Sequence, residues 1–334
     1  MKFPSKKQIT DILSASNRKH KAIYKTNRRL ILIFAKWLGI FVLLIGIVTT
    51  LDAIQKSKNK VWIVEILSTE LPLFNNVEAL AIIAGLIALA LDTPNQQKKS
   101  HYEAWQVISL AQGQSGSGGR IQALQDLAED GISLAGVSAE NAYLAEIKLP
   151  EAILKHANFK NSTFKNSDFR NANLRNANLE CTNLKETNLS GADLKDANLT
   201  KANLTSANLS GADLSDAKLT EANLSRTKLI EAKFILAELR GTDLSTADLG
   251  NADLFKANLS VAKLSDTNLS HADLRYANLG DTDLTGADFR YANLGGTNLN
   301  DANLNNADLS NANFWDKHSG EANITPSQIK KAKN

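Results

Sequence analysis

Five histidines, one cysteine and an ample supply of Asp and Ser are the side chains here that could do chemistry. Imidazoles at short spacing bind zinc or move protons, and a thiol beside a base attacks carbonyl carbons. His20, His101, His156, His271 and His318 stand at no metal-ligand spacing from one another. Cys181 is the single cysteine, so an intramolecular disulfide is excluded. No Gly-rich phosphate loop, CxxC, HExxH or GxSxG occurs in the chain. Asp and Ser recur at fixed intervals, so a nominal Ser–His–Asp set arises from the interval alone. A catalytic function is not expected, and neither is a cofactor or a metal.

The interval itself carries the information. In "NANLRNANLECTNLKETNLSGADLKDANLTKANL", from position 171, a leucine stands at every fifth residue. Counted in fives from Leu144, every position through Phe314 is Leu or Phe, with no phase slip. Two residues before each is Ala, Ser or Thr, with Ile147 the one exception. A helix advances about 100° per residue, so a step of five wraps leucines around it and leaves no apolar stripe. A flat strand alternates faces and would throw successive leucines to opposite sides. The chain must therefore turn once per repeat, in one sense, bringing each Leu back to a common axis as in a solenoid.

Over about 141–316 the motif resembles that of the pentapeptide-repeat family, A(D/N)LXX. The resemblance implies an all-β solenoid, a right-handed quadrilateral β-helix with four repeats per coil. The central Leu/Phe (Leu174, Leu204, Leu244 and Leu284 among them) and the small residue two before it would then point inward. Asn or Asp before the Leu and the two residues after it would face outward or shape corners. About nine coils at a strand spacing near 4.8 Å make a rod roughly 40 Å long. Asn and Asp bond their own backbone in turns, so their abundance reads as architecture and not as a ligand array.

Different segments flank the repeats. "TPSQIKKAKN" at the C-terminus holds Thr325 and Gln328 in a capping-box pattern, with Pro326 at a first helical turn, which predicts a capping helix within 317–334. Residues 120–140 form an expected N-terminal cap whose helix spaces Ile121, Leu124 and Leu127 and stops at Gly131. The segment 93–119 combines a juxtamembrane helix, with Tyr102, Trp105 and Ile108 on one side, and a Gly/Ser linker or loop at 113–119. Two apolar stretches, about 30–51 and 71–91, predict a membrane region over 30–92. The Lys/Arg excess of the basic N-terminus 1–29 and Lys98 and Lys99 place both termini and the repeats in the cytoplasm. The expectation is an integral protein of a bacterial inner or thylakoid membrane, in contact with membrane lipids. The leader "AWQVISLAQGQ" is similar to that of cyanobacterial membrane-anchored members of the family.

The net charge of +3 at pH 7 hides a segregation, since the repeats are near neutral. Nucleic acid is therefore not expected as a partner. Stacking in twenties puts Lys155, Arg175 and Lys195 in one basic corner column, which continues through Ile235 and Phe255. Leu236 and Tyr276 share the neighbouring column, and these apolar residues break a pattern of Ser, Thr, Lys and Gly. Either they form an exposed contact patch or a bulge buries Ile235. The function expected is a membrane-anchored, non-catalytic scaffold offering the rod to an unknown cytoplasmic protein or to a second copy. Two alternatives stand beside it. Some members of the family mimic DNA and bind topoisomerases, which needs a more acidic surface. An accessory subunit of a channel or transport assembly would use the two spans.

Overall fold

The computed structural model of the chain describes residues 96–316 and 320–332. Contacts divide the protein between Lys98 and Lys99, and the repeats lie wholly in the second unit. They form a β-helix. Parallel bridges join residues twenty apart, from Ser138↔Asn158 to Asn293↔Asn313, one in each five-residue repeat, so four ladders run up four faces.

The destination of each backbone N–H explains the motif. Numbering the central Leu as i, the repeat around Leu174 is representative. Ala172 (i−2) donates to Phe169 O at 3.0 Å and closes the turn, and Asn173 (i−1) donates to Ala152 O of the preceding coil at 2.9 Å. Leu174 (i) and Asn176 (i+2) donate to Asp193 O and Lys195 O of the next coil, at 2.7 and 2.9 Å. That leaves one N–H, at i+1. Arg175 directs it to the side-chain Oδ1 of Asn173 at 3.3 Å. Four donors are met by backbone and the fifth by the Asn or Asp two residues earlier, so the pairing of buried polar groups is complete only when i−1 can accept. Pro150 stands at i+1 in the repeat where Lys148 holds i−1, and proline has no N–H to satisfy.

Each corner is a turn with positive φ at i+2, as a type II turn requires. The φ is 56° at Asn176 and 66° at Gly191. Asn and Asp tolerate this region, whereas Val261, at 53°, is β-branched and strained. Val261→Asn is expected to raise the melting temperature, through about 0.5–1 kcal/mol of relieved strain. A lower melting temperature would show that its exposed side chain contributes packing that outweighs the strain.

The axis is filled by the fifth-position residues. Leu204, Leu244 and Leu284 are 0% exposed and Leu174 is 1%. Phe159, Phe164 and Phe169 meet edge to face around one coil, at centroid distances of 5.0 and 5.1 Å. Beside them Ser and Thr replace Ala and bond to backbone: Ser162 Oγ donates to Ala139 O at 2.6 Å and Thr187 Oγ1 to Phe164 O at 2.7 Å. No buried side-chain N or O among the described residues lacks a partner.

Helices close the stack. At the N-terminal end lie α1 (96–110) and α2 (Arg120–Glu129). Leu124, Leu127 and Ile108 are buried, while Tyr102, expected on the same apolar side, is 65% exposed. The C-terminus of α2 is a Schellman motif, with Ile132 N–H on Leu127 O and Gly131 N–H on Ala128 O. The Gly/Ser stretch between α1 and α2 is a built loop. The Arg120 side chain, fully buried, donates to Ala111 O (2.9 Å), Gln114 O (2.7 Å), Gly116 O and Ser117 O (3.1 Å). Burial lowers the guanidinium's pKa from its ordinary value.

At the other end a short hairpin, β1 (Trp315–Asp316) and β2 (Gly320–Glu321), interrupts the repeats. The ladder resumes five residues late, with Asn323 bridging Asn298. In α3 (Pro326–Lys331) Thr325 and Gln328 form the capping box. Gln328 Nε2 also donates to Leu299 O and Ala302 O, at 2.7 and 3.0 Å, tying α3 to the last coil.

The expected integral-membrane localisation is overturned. Among the described residues no helix is long and apolar enough to cross a membrane. The segments 1–29, 30–51 and 71–91, on which the expected topology and lipid contact rested, lie outside the described residues.

Candidate interaction surface

The side chains singled out for chemistry are dispersed. His101 bonds Asp130 at 2.9 Å in the N-terminal cap. His156 occupies a corner, and His271 stacks on Tyr291 with centroids 4.9 Å apart. His20 and His318 lie outside the described residues. Cys181 is an exposed free thiol at a corner with φ 57°. No group of three or more His, Cys, Asp or Glu among the described residues could hold a metal.

The apolar corner is built as follows. Lys233, Asp253 and Asp273 bridge in succession up one face, so no bulge distorts the coil at "EAKFILAELR". Ile235 and Phe255 sit half-buried at i+1 of that face, and Leu236 and Tyr276 at i+2 are 50% and 39% exposed. The Phe255 and Tyr276 rings meet edge to face at 5.6 Å. Lys256 Nζ lies 5.2 Å from the Phe255 ring and 5.6 Å from that of Tyr276, and the Arg275 guanidinium 5.6 Å from Phe255. Arg275 is held in turn by Asp273 at 2.5 Å. One corner thus brings together two rings, two branched aliphatic side chains and two cations.

The basic part of the column stands apart from this cluster. Ser215, 6% exposed, separates Lys195 from Ile235, and Lys155 lies four coils, about 19 Å, below Ile235. Arg175 pairs with Asp193 and Asp196 at 3.6 and 3.8 Å, and Lys195 with Asp213 at 3.2 Å. Those two cations are compensated inside the chain.

Charge compensation changes along the axis. Lys160, Lys165, Arg170, Arg175, Lys185, Lys195 and Lys201 each have a carboxylate within 4.0 Å. In the stretch 218–263, Lys218, Arg226, Lys228, Lys233, Arg240, Lys256 and Lys263 make no ion pair among the described residues. This belt carries no sequence signature beyond Lys or Glu at i−1 in five of its repeats, the position that holds Asn or Asp in the other repeats from Asp168 onward. Elsewhere side-chain hydrogen bonds from Arg170 and Arg290 hold the Asp168 and Asp288 carboxyls below the usual carboxylate range. Their folded pKa values are depressed, so this stabilisation is complete above the unfolded value and fades as pH falls through the folded one.

Known proteins share the repeat. A family model described as "Pentapeptide repeat region" matches residues 132–209 and 152–234, and one described as "Pentapeptide repeats (8 copies)" matches 252–290 and 277–316. No curated protein matches. Among solved structures, the chain is 35% identical to HetL, a pentapeptide repeat protein involved in heterocyst differentiation regulation from the cyanobacterium Nostoc sp. strain PCC 7120. That match covers 55% of this chain and 86% of HetL, with a TM-score of 0.48. A pentapeptide repeat protein, Rfr23, from the cyanobacterium Cyanothece 51142 is 36% identical over 34% of this chain and 64% of its own, with a TM-score of 0.14. QnrB1, a plasmid-mediated fluoroquinolone resistance protein, is 21% identical over 57% of this chain and 94% of its own, with a TM-score of 0.37.

Proposed function

Because the chain belongs to the pentapeptide-repeat family, we propose that it acts as a non-catalytic interaction protein, its right-handed β-helix presenting one corner to a protein partner. The observation that carries this reading is the clustering of Leu236, Phe255 and Tyr276 at one corner, at positions that hold small or polar residues in most other repeats. Apolar side chains gathered at a solvated corner are unfavourably hydrated, and association relieves that cost. A rigid coil also loses little conformational freedom on binding, which favours affinity from a small surface. A topoisomerase-binding DNA mimic would need an anionic surface, and the uncompensated cations at 218–263 oppose it.

The test is quantitative capture by the full chain in lysate of its source. Leu236→Asn with Phe255→Ser uses residues that the same positions carry in other repeats, so the melting temperature is expected to stay within a few degrees of the parent. The partner, a different protein or a second copy, is expected to be lost from the captured set. Identical capture by parent and variant would overturn the assignment of this corner.

A further inference from the structure

In the first coils Ala145, Lys155 and Lys165 at i+1 find no acceptor among the described residues, because Tyr143, Ile153 and Thr163 stand at i−1; from residue 170 onward the i+1 N–H distinguishes the belt 218–263 from the other repeats. From residue 170 to residue 315 this donor is bonded by the Asn or Asp at i−1 in every repeat except five. Within the face that carries the apolar corner, Ser215 N–H bonds Asp213 Oδ1 at 3.1 Å and Phe255 N–H bonds Asp253 Oδ1 at 3.0 Å. Between them stands Lys233, which cannot accept, and the Ile235 N–H has no acceptor among the described residues. Thr220, Ile230, Arg240 and Ser265 are in the same position, because Lys218, Lys228, Glu238 and Lys263 occupy i−1. The exceptions coincide with the cations that have no ion pair. In these five repeats the Asn or Asp at i−1 is replaced four times by an ammonium and once, at Glu238, by a longer carboxylate.

An outward N–H beside a free ammonium and an apolar ring is a receptor for a carboxylate on an amphipathic chain. We propose that this belt docks an acidic protein segment. Its carboxylates take the role that Asp213 and Asp253 play within the chain, accepting the Ile235 and Thr220 N–H groups beside Lys233 and Lys218. An apolar or aromatic residue of the segment packs on Phe255 and Tyr276 under Lys256. The inference rests on the reading of this corner as an interaction surface and adds the chemistry of the partner.

Two other occupants fit less well. In a second copy the aspartates at i−1 already accept their own i+1 N–H groups, as Asp243, Asp273 and Asp283 do here. A nucleic acid carries uniform negative charge, and Glu221, Glu231 and Glu238 are interspersed through the belt.

Fluorescence anisotropy of the full chain with a labelled random Glu–Tyr copolymer tests the proposal, with single-stranded DNA as the comparison polyanion. The copolymer is expected to bind more tightly than DNA and to weaken with added salt. Lys233→Ala is expected to reduce its affinity about three- to tenfold. Lys233→Asn is expected to reduce it further at an undiminished melting temperature, because the introduced amide accepts the Ile235 N–H itself. Lys201→Ala removes a cation already paired with Glu221, at 3.5 Å, and is expected to leave binding unchanged. The proposal fails if the copolymer does not bind, if DNA binds more tightly, or if Lys201→Ala and Lys233→Ala act alike. It also fails if Lys233→Ala and Lys233→Asn are equivalent. Partner capture that is lost with Leu236→Asn and Phe255→Ser but insensitive to both Lys233 variants would retain the interaction surface and reject the acidic segment.

Discussion

Leu204→Asp is expected to abolish the cooperative thermal transition of the β-helix, or to lower it by several tens of degrees. The side chain is 0% exposed, and Leu184 and Leu224 of the adjoining coils are 1% and 0% exposed. Removing it loses about 1.5–3 kcal/mol of burial. A carboxyl in its place faces an axis of Leu, Phe and Ala, and the cost of burying it unpartnered adds several kcal/mol. In a stack where each coil touches only its neighbours, a failure in the middle also uncouples the two ends. The control is Lys201→Asp, three residues away. That side chain is 57% exposed in an ion pair with Glu221 at 3.5 Å, so its loss changes stability by about 1 kcal/mol or less. Circular dichroism melts of the two full-length variants decide the matter. Coincident melts would refute the inward orientation of every fifth residue.

The second large effect is expected at Arg120. Arg120→Ala removes the donors for Ala111 O, Gln114 O, Gly116 O and Ser117 O together and leaves a cavity where a fully buried side chain stood. A loss of about 3 kcal/mol follows from one broken buried network. It falls on the cap, because these carbonyls belong to the loop between α1 and α2 and not to the ladders. Hydrogen exchange is therefore expected to quicken across 107–127 while the amides of 150–300 stay protected. Arg120→Lys is not expected to rescue it, since a compact ammonium cannot reach four carbonyls as the planar fork does. Unchanged exchange in 107–127 would show that α1 is held by Ile108 and Trp105 alone.

The solenoid was legible because its pattern is redundant. A Leu returning at every fifth position without a slip excludes helix and flat strand before any packing is considered, and the capping box of Thr325 and Gln328 is a local signal that needs no tertiary context. What escaped the sequence was the opposite kind of feature. Arg120 follows Gly118 and Gly119 and looks like the solvated start of a helix, yet its burial depends on how the loop at 113–119 folds over it. The compensation of Arg175 and Lys195 is invisible in the sequence because stacking in twenties aligns like positions and does not reveal that Asp193, Asp196 and Asp213 lie within reach. The unpaired N–H groups were hidden for a related reason. They are visible only once every donor of the repeat has been traced to its acceptor, and Lys233 then differs from its neighbours Asp213 and Asp253 in what it fails to do.

The four ladders have a consequence for how such a chain can change. Removing or adding five residues within the repeats leaves the register of the axis intact, because each repeat is interchangeable as filler. It nevertheless turns everything downstream by a quarter revolution. Deleting 206–210, for example, would keep Leu204 stacked on a leucine and swing Leu236, Phe255 and Lys256 onto a different side relative to Lys155. Only a change of twenty returns the surface to its original bearing. The hairpin of β1 and β2 marks the contrast: it also adds five residues, but Asn323 rejoins the ladder of Asn298, so residues set outside the coil leave the bearing unchanged. Length therefore acts as a dial for orientation, independent of stability.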